Sequence, residues 1–140
     1  MKCLAVFLAL WVADGWAKPK PAAHPPDPAH SHPHLERFHE EGGITIYLDL
    51  RNRQVLADGI MAWKIWNYHA PKDLEGYVFR SERVQTQYDC KNHKVRLIMW
   101  VAHSEPLGAG EIVAAGIDPK GWEEVAPNSL SDLEWNHFCR

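Results

Sequence analysis

The sequence predicts an α+β domain, in which one antiparallel β-sheet of about five or six strands carries a C-terminal helix on one face. Short segments with alternating apolar side chains, separated by turn residues, predict the strands. After residue 128 the apolar side chains change to helical spacing. Two cysteines, Cys90 in the middle of the domain and Cys139 near the end of the chain, are placed to tie the helix to the sheet.

The strands are predicted from residue 35 onward, where side chains at alternate positions share a face. Gly42-Gly43 and Asp58-Gly59 mark two turns, and the segment from Lys91 to Lys94 marks a hairpin. A polar loop is expected from Pro71 to Gly76. The predicted strands comprise residues 35–39, 44–49, 60–68, 78–90, 95–102 and 111–117.

A short C-terminal helix is predicted after Ser129, which is placed as an N-cap with Asp132 three residues later. The apolar face expected for this helix carries Leu130, Leu133, Trp135 and Phe138. Cys139 follows at its end. Because Cys90 shares a strand face with Tyr88 and Val84, we expect the helix to cover that face.

Residues 1–17 are predicted to be a secretory signal peptide. Lys2 supplies a positive charge, an apolar run extends from Cys3 to Ala13, and the small residues Gly15 and Ala17 precede the expected cleavage. The run is too short for a membrane span, which needs about 20 residues. The alternative is an uncleaved N-terminal anchor. The protein is therefore expected to be exported and not to be an integral membrane protein.

Cleavage would remove Cys3 and leave Cys90 and Cys139 as the two cysteines of the exported protein. Cysteines of exported proteins usually form disulfides, and we expect this pair to be bonded. Such a bond would stabilise the fold by about 4 kcal/mol in the chain-entropy model. That matters because so small a core is only marginally stable without help. The alternative is two unpaired buried thiols.

Residues 18–34 are rich in proline and histidine, and their only apolar side chains are alanines. Such a segment cannot bury enough surface to offset its ordering entropy, so a disordered tail is predicted, followed by a domain over residues 35–140. Neutral imidazoles bind Zn, Cu and Ni, which makes weak metal binding at the tail a hypothesis. The candidate ligands are His24, His30, His32, His34 and His39. The alternative is a soluble spacer without a cofactor.

Two classes of function are disfavoured by the sequence. Nucleic acid is not expected as a partner, because the formal net charge is −3 and no run of basic residues occurs. Catalysis is not expected either. The segment His103-Ser104-Glu105 contains residue types used in acyl chemistry, but neighbouring side chains on a strand point to opposite faces. No nucleophile elbow, phosphate-binding loop or zinc-protease motif is present in the sequence.

The strand predicted over residues 60–68 has aromatic side chains on both faces. The face expected to enter the core carries Met61, Trp63 and Ile65. The candidate partner-binding residues share the other face: Lys64, Trp66 and Tyr68. Exposed tryptophan and tyrosine side chains on a rigid sheet often anchor a partner. The alternative is that both faces are covered by core packing or by a homodimer.

Several short motifs follow one another between residues 35 and 139. They are Tyr47-Leu48-Asp49, Asp58-Gly59, Trp63, Tyr68, Arg80-Ser81, Tyr88-Asp89-Cys90, Leu107-Gly108-Ala109-Gly110, Trp122, Val125-Ala126-Pro127-Asn128-Ser129 and Cys139. In this order they resemble the surface-adhesin protein E family, small exported proteins of Gram-negative bacteria. The resemblance implies an antiparallel sheet, a C-terminal helix held by the Cys90–Cys139 disulfide, and no enzymatic activity. It also implies binding to host extracellular-matrix proteins or to other envelope proteins.

The sequence thus predicts an exported, non-catalytic binding protein, adhesin-like or envelope-associated. Its expected location is the periplasm or the outer cell surface of a Gram-negative bacterium. The alternative function is a periplasmic metal-buffering protein that acts through the histidine-rich tail.

Overall fold

A computed structural model describes residues 32–117, 119 and 121–140. The predicted signal peptide and nearly all of the predicted tail lie outside these residues. The described strands are β1 (Leu35–Glu41), β2 (Ile44–Leu56), β3 (Gly59–Leu74), β4 (Tyr77–Asp89), β5 (Lys94–His103), β6 (Ile112–Ile117) and β7 (Glu123–Glu124). A short 3-10 turn spans Pro106–Gly108, and helix α1 spans Leu130–Cys139.

The strands form one antiparallel sheet in the order β1-β2-β3-β4-β5-β6, and the two-residue strand β7 pairs with the start of β5. Short turns join the strands from β1 to β5, whereas a longer connection that contains the 3-10 turn joins β5 to β6. Glu41 and Ile44 pair across Gly42-Gly43, whose φ angles of 58° and 80° suit a two-residue hairpin turn that glycine adopts without strain. The predicted α+β fold, with a single antiparallel sheet and one C-terminal helix, is confirmed. No helix of the described segments has the length and apolar character that a membrane crossing requires.

Cross-strand pairing defines two faces of the sheet. On the face that α1 covers, here called the helix face, Lys64 of β3 lies opposite Val84 of β4, which in turn lies opposite Trp100 of β5. On the opposite face, here called the open face, Trp63 lies opposite Gln85. The prediction that the helix covers the Val84 face is confirmed.

The main core lies between α1 and the helix face. Trp135 and Phe138 of the helix are buried against Leu48, Tyr88 and Val95, among others. The ring centroids of Tyr88 and Phe138 are 5.0 Å apart. Burying a large apolar side chain stabilises a fold by roughly 1.5–3 kcal/mol, so these contacts hold the helix against the sheet.

The two ends of α1 are fixed as the sequence predicts. At its last residue, the disulfide between Cys90 and Cys139 is confirmed, with Cα atoms 5.3 Å apart. At its start, the Ser129 hydroxyl accepts a hydrogen bond of 3.2 Å from the Asp132 N–H. The Asp132 carboxylate accepts one of 3.0 Å from the Asn128 N–H, one residue earlier than in a standard capping box.

Strands β2 and β3 are longer than predicted, because irregular pairing interrupts the alternation of their side chains. In β2 the register shifts between Asp49 and Gln54. In β3 it shifts between Asn67 and Lys72, after which pairing resumes as far as Leu74. The prediction of a loop from Pro71 to Gly76 is therefore wrong for residues 71–74, which belong to β3.

Two predictions about side-chain burial are also wrong. Leu133 is predicted to lie on the apolar face of the helix, but it is 45% exposed, whereas Glu134 is buried. The helix is rotated toward Glu134 because this carboxylate pairs with Lys64. Trp63 is predicted to lie in the core, but it lies on the open face and is only partly buried, because α1 packs on the opposite face.

Candidate functional site

A groove of about 530 Å³ lies on the helix face, beside the first turn of α1. The helix packs over Ile60 and Tyr88, and it leaves the same strands uncovered further along the sheet. The apolar part of the groove lining includes Trp66, Leu74, Val84, Leu97 and Trp100. A smaller cavity of about 140 Å³ shares Trp66 with the groove and reaches the turn between β1 and β2. This arrangement provides an open, mostly apolar surface of the kind that receives a side chain or a short peptide.

Two tryptophans of the groove are held in place by their neighbours. The indole of Trp100 lies against Gly116 of β6, where a Cβ atom would collide with the ring. Glycine at position 116 therefore allows this ring to lie close to β6. The Trp66 Nε1 atom is buried and has no acceptor among the described residues. The solvent-facing part of the Trp66 ring is therefore hydrocarbon.

A carboxylate accompanies the two tryptophans. Glu82 of β4 lies opposite Trp66 in β3 and opposite Ala102 in β5. Its side chain accepts a hydrogen bond from the Tyr68 hydroxyl. Burial of the phenol, reinforced by the hydrogen bond and charge of Glu82, raises the pKa of Tyr68 well above its ordinary value. The hydroxyl therefore stays protonated at neutral pH and orients the Glu82 carboxylate.

A buried ion pair separates the groove from the core. Lys64 Nζ lies 2.7 Å from Oε1 and 2.6 Å from Oε2 of Glu134. The Tyr88 hydroxyl donates to the same carboxylate at 2.8 Å. Burial, and after it the charge of Glu134, raises the pKa of Tyr88 well above its ordinary value. Lys64 Nζ also lies 5.8 Å from the ring centroid of Trp66, so this pair borders the groove.

The structure brings the predicted residues Lys64, Trp66 and Tyr68 to the helix face, as their spacing implies. Lys64 and Tyr68 are each only 7% exposed, because Glu134 and Glu82 bind their polar ends. Of these three, Trp66 offers the largest accessible surface to the groove. Their role in partner binding stays a prediction.

Sequence reasoning missed Trp100 and Glu82, which lie on strands β5 and β4. The available signal was the alternation in β4, which places Glu82 on the same face as Val84 and Tyr88. A partly buried carboxylate at an otherwise apolar position of a strand indicates a polar site.

The metal-binding hypothesis falls partly outside the described residues, which do not include His24 and His30. The rings of His32 and His34 are 5.8 Å apart, and His39 Nε2 lies 3.4 Å from a Glu41 carboxylate oxygen. Within the part of the chain that the structure describes, no cluster of three His, Cys, Asp or Glu side chains could hold a metal ion. Metal binding by the tail stays a prediction.

The segment His103-Ser104-Glu105 lies where β5 ends. The Ser104 hydroxyl accepts a hydrogen bond of 3.0 Å from the Glu111 N–H. His103 is buried, and its Nδ1 atom has no partner in the described segments. Burial, and secondarily the charge of Arg83, lowers the pKa of His103. This imidazole is therefore neutral at neutral pH.

The open face carries two contacts between arginine and tryptophan. The Arg83 guanidinium lies 5.1 Å from the ring centroid of Trp63, and that of Arg96 lies 4.5 Å from the ring centroid of Trp122. Arg96 also donates to Gln87 Oε1 at 2.7 and 2.9 Å. These pairs cover part of the sheet face opposite α1.

Comparison with known proteins places this architecture in a family. The family model of the surface-adhesin protein E matches residues 35–140. A structure of Haemophilus influenzae protein E is 17% identical, with a TM-score of 0.62 over 76% of this chain and 83% of that one. A crystal structure of protein E from non-typeable Haemophilus influenzae is 16% identical, with a TM-score of 0.62 over 76% of this chain and 75% of that one. At such identities the likeness shows a shared fold. No curated protein sequence matches the chain significantly. Because the family match extends over most of its length, the chain belongs to the surface-adhesin protein E family.

Proposed function

We propose that this protein is an exported, non-catalytic, adhesin-like protein that binds a protein partner through the groove beside α1. The observation that carries the proposal is the pair Trp66 and Trp100 in an open groove of about 530 Å³. Tryptophan is among the residue types most enriched at interface positions that dominate binding energy, especially in pockets that exclude water. A groove with two such side chains suits an anchoring residue of a partner protein.

Helix α1, which borders the groove, is fixed in the absence of a partner. The Cys90–Cys139 disulfide and the Ser129 cap fix both ends of α1, and the Lys64–Glu134 pair fixes its side nearest the groove. A preformed site loses little conformational entropy on binding, so more of the contact energy appears as affinity. This property suits stable attachment to a partner.

The family supports a location at the cell surface and a partner among host or envelope proteins. An adhesin needs a contact surface for its partner, and the mostly apolar groove provides one. The alternative location for the same binding activity is the periplasm, where the protein would be associated with the envelope.

The proposal is tested by measuring binding of the protein to a panel of purified extracellular-matrix and envelope proteins. For a partner found in this way, Trp66→Ala and Trp100→Ala should each weaken binding by roughly 2 kcal/mol or more. Trp63→Ala, on the open face, is the matched control and should bind normally. Unfolding curves check that each variant is folded.

Loss of binding in Trp63→Ala together with normal binding in both groove variants would move the site to the open face. A collapse of stability in Trp66→Ala would instead show that this residue supports the core. Either result contradicts the proposal for the groove.

A further inference from the structure

The groove contains a negative charge next to aromatic rings. Glu82, Trp66 and Trp100 all line it. Glu82 lies directly opposite Trp66 across the β3–β4 ladder, while Trp100 lies opposite Val84, the next residue of β4 on the same face. The Tyr68 hydroxyl holds the carboxylate in place from one side. The site therefore combines an oriented anion with two large π surfaces.

The charge of Glu82 is not neutralised within the described residues. None of the ion pairs between residues 32–117, 119 and 121–140 includes this carboxylate. Two basic residues border the groove, but both are engaged. Lys64 is paired with Glu134, and the Arg96 guanidinium lies on the open face, where it donates to Gln87 and stacks on Trp122. Because Glu123 adds a second carboxylate at the exposed rim, the groove attracts positive charge.

We propose that the groove binds a basic side chain, lysine or arginine, of the partner protein. The cationic end pairs with Glu82, and the rest of the side chain packs against Trp66 and Trp100. This inference rests on the proposed function, because it names the chemistry of the partner at the same groove.

The energetics favour a cation over other side chains. A carboxylate partly removed from water attracts a cation more strongly than one on an open surface. Tryptophan faces attract ammonium and guanidinium groups, and the alkyl stem of lysine or arginine covers apolar surface. One lysine of the chain already makes such a contact, since Lys72 Nζ lies 5.4 Å from the ring centroid of Tyr68. An acidic side chain would be repelled by Glu82 and Glu123.

The test uses three small probes with the purified exported protein labelled with nitrogen-15. Two probes carry a cation, the amides of lysine and arginine acetylated at the α-nitrogen. The third, the amide of norleucine acetylated at the same nitrogen, has an uncharged alkyl side chain. Nuclear magnetic resonance follows the indole N–H signals, assigned with Trp66→Phe and Trp100→Phe. We expect the two basic probes to shift the signals of Trp66 and Trp100, and the norleucine probe to leave them unchanged.

Glu82→Gln removes the charge while its amide oxygen can still accept from Tyr68, so the fold should be retained. This variant should weaken binding of the basic probes by roughly tenfold or more. Glu111→Gln makes the same change of charge at an exposed residue that does not line the groove, and it should bind as the wild type does. Unfolding curves of both variants confirm that they are folded.

Three results would overturn the inference. The first is a shift of the indole signals by the norleucine probe as large as the shift by the lysine probe. The second is unchanged binding of the basic probes by Glu82→Gln, and the third is that no probe shifts either signal. Each result leaves the groove available to an uncharged segment, so the proposed function would survive. The proposed function is tested separately, by the binding of Trp66→Ala to the intact partner.

Discussion

Lys64 and Glu134 lie 70 residues apart in the chain and form a buried ion pair in which one ammonium contacts both carboxylate oxygens, at 2.6 and 2.7 Å. Glu134 is 1% exposed and Lys64 is 7% exposed. The pair joins the middle of the sheet to the helix. It sets the rotation of α1 and thereby the edge of the groove beside Trp66.

Breaking this pair from one side should destabilise the protein strongly. Glu134→Leu leaves the Lys64 ammonium buried without its partner, which costs about 3–5 kcal/mol. Lys64→Met should cost a similar amount, because it leaves the carboxylate with the Tyr88 hydroxyl alone. The double variant should be much closer to wild type, since an apolar pair needs no charge compensation. Urea unfolding of the four proteins measures the coupling, and additive losses would contradict this account.

Removing the disulfide should lower the free energy of unfolding by about 4 kcal/mol, because the bond restricts the unfolded chain. Cys90 and Cys139 are separated by 49 residues, so the closed loop is long. The measurement compares urea unfolding of Cys90→Ser/Cys139→Ser with that of the oxidised protein. Treating the wild type with a reductant should give the same loss, and an unchanged midpoint in both experiments would show that the bond adds nothing to stability.

His103 should make the protein less stable in mild acid. Its pKa is lowered by burial and by Arg83, whereas a histidine in the unfolded chain has a pKa of about 6.5. Below that pH the unfolded chain binds a proton that the folded protein resists. The stability that this residue contributes is therefore present above about pH 6.5 and is lost as the pH falls.

The measurement compares unfolding free energies at about pH 7.5 and about pH 5, on either side of the ordinary histidine pKa. The loss on acidification should be smaller in His103→Gln. An equal loss in wild type and variant would contradict the role of His103.

Gly116→Ala should displace the Trp100 ring, because the added Cβ atom meets the indole. Overpacking of this kind typically costs about 1–3 kcal/mol. We expect lower stability, a changed tryptophan fluorescence spectrum and weaker partner binding at the groove. Gly121→Ala is the control, since no atom of the described residues lies within 4 Å of the added atom there. A wild-type spectrum in Gly116→Ala would contradict the contact between the glycine and the ring.

Much of the fold could be predicted because its signals are local. The alternation in β4, the glycine turn after β1 and the Ser129 cap each depend on a few neighbouring residues. The far end of the β3–β4 hairpin was less predictable. There a register shift after Asn67 breaks the alternation, and pairing with β4 alone extends the strand to Leu74.

The candidate site was only partly predictable, because its residues meet through pairing between strands. Trp66 was identified from its own strand, whereas its proximity to Glu82 depends on the β3–β4 register. The burial of Lys64 could not be foreseen, since it depends on how the helix rotates toward the sheet.

The sequence by itself determined the class of fold, the cysteine pair and the face that the helix covers, because periodicity and cysteine position act through local geometry. The tertiary structure alone decided that Glu134 rather than Leu133 faces the sheet, and that Trp66, Glu82 and Trp100 share one groove. The physical reason is that register and helix rotation are set by contacts between distant segments. A pattern of neighbouring residues does not contain those contacts.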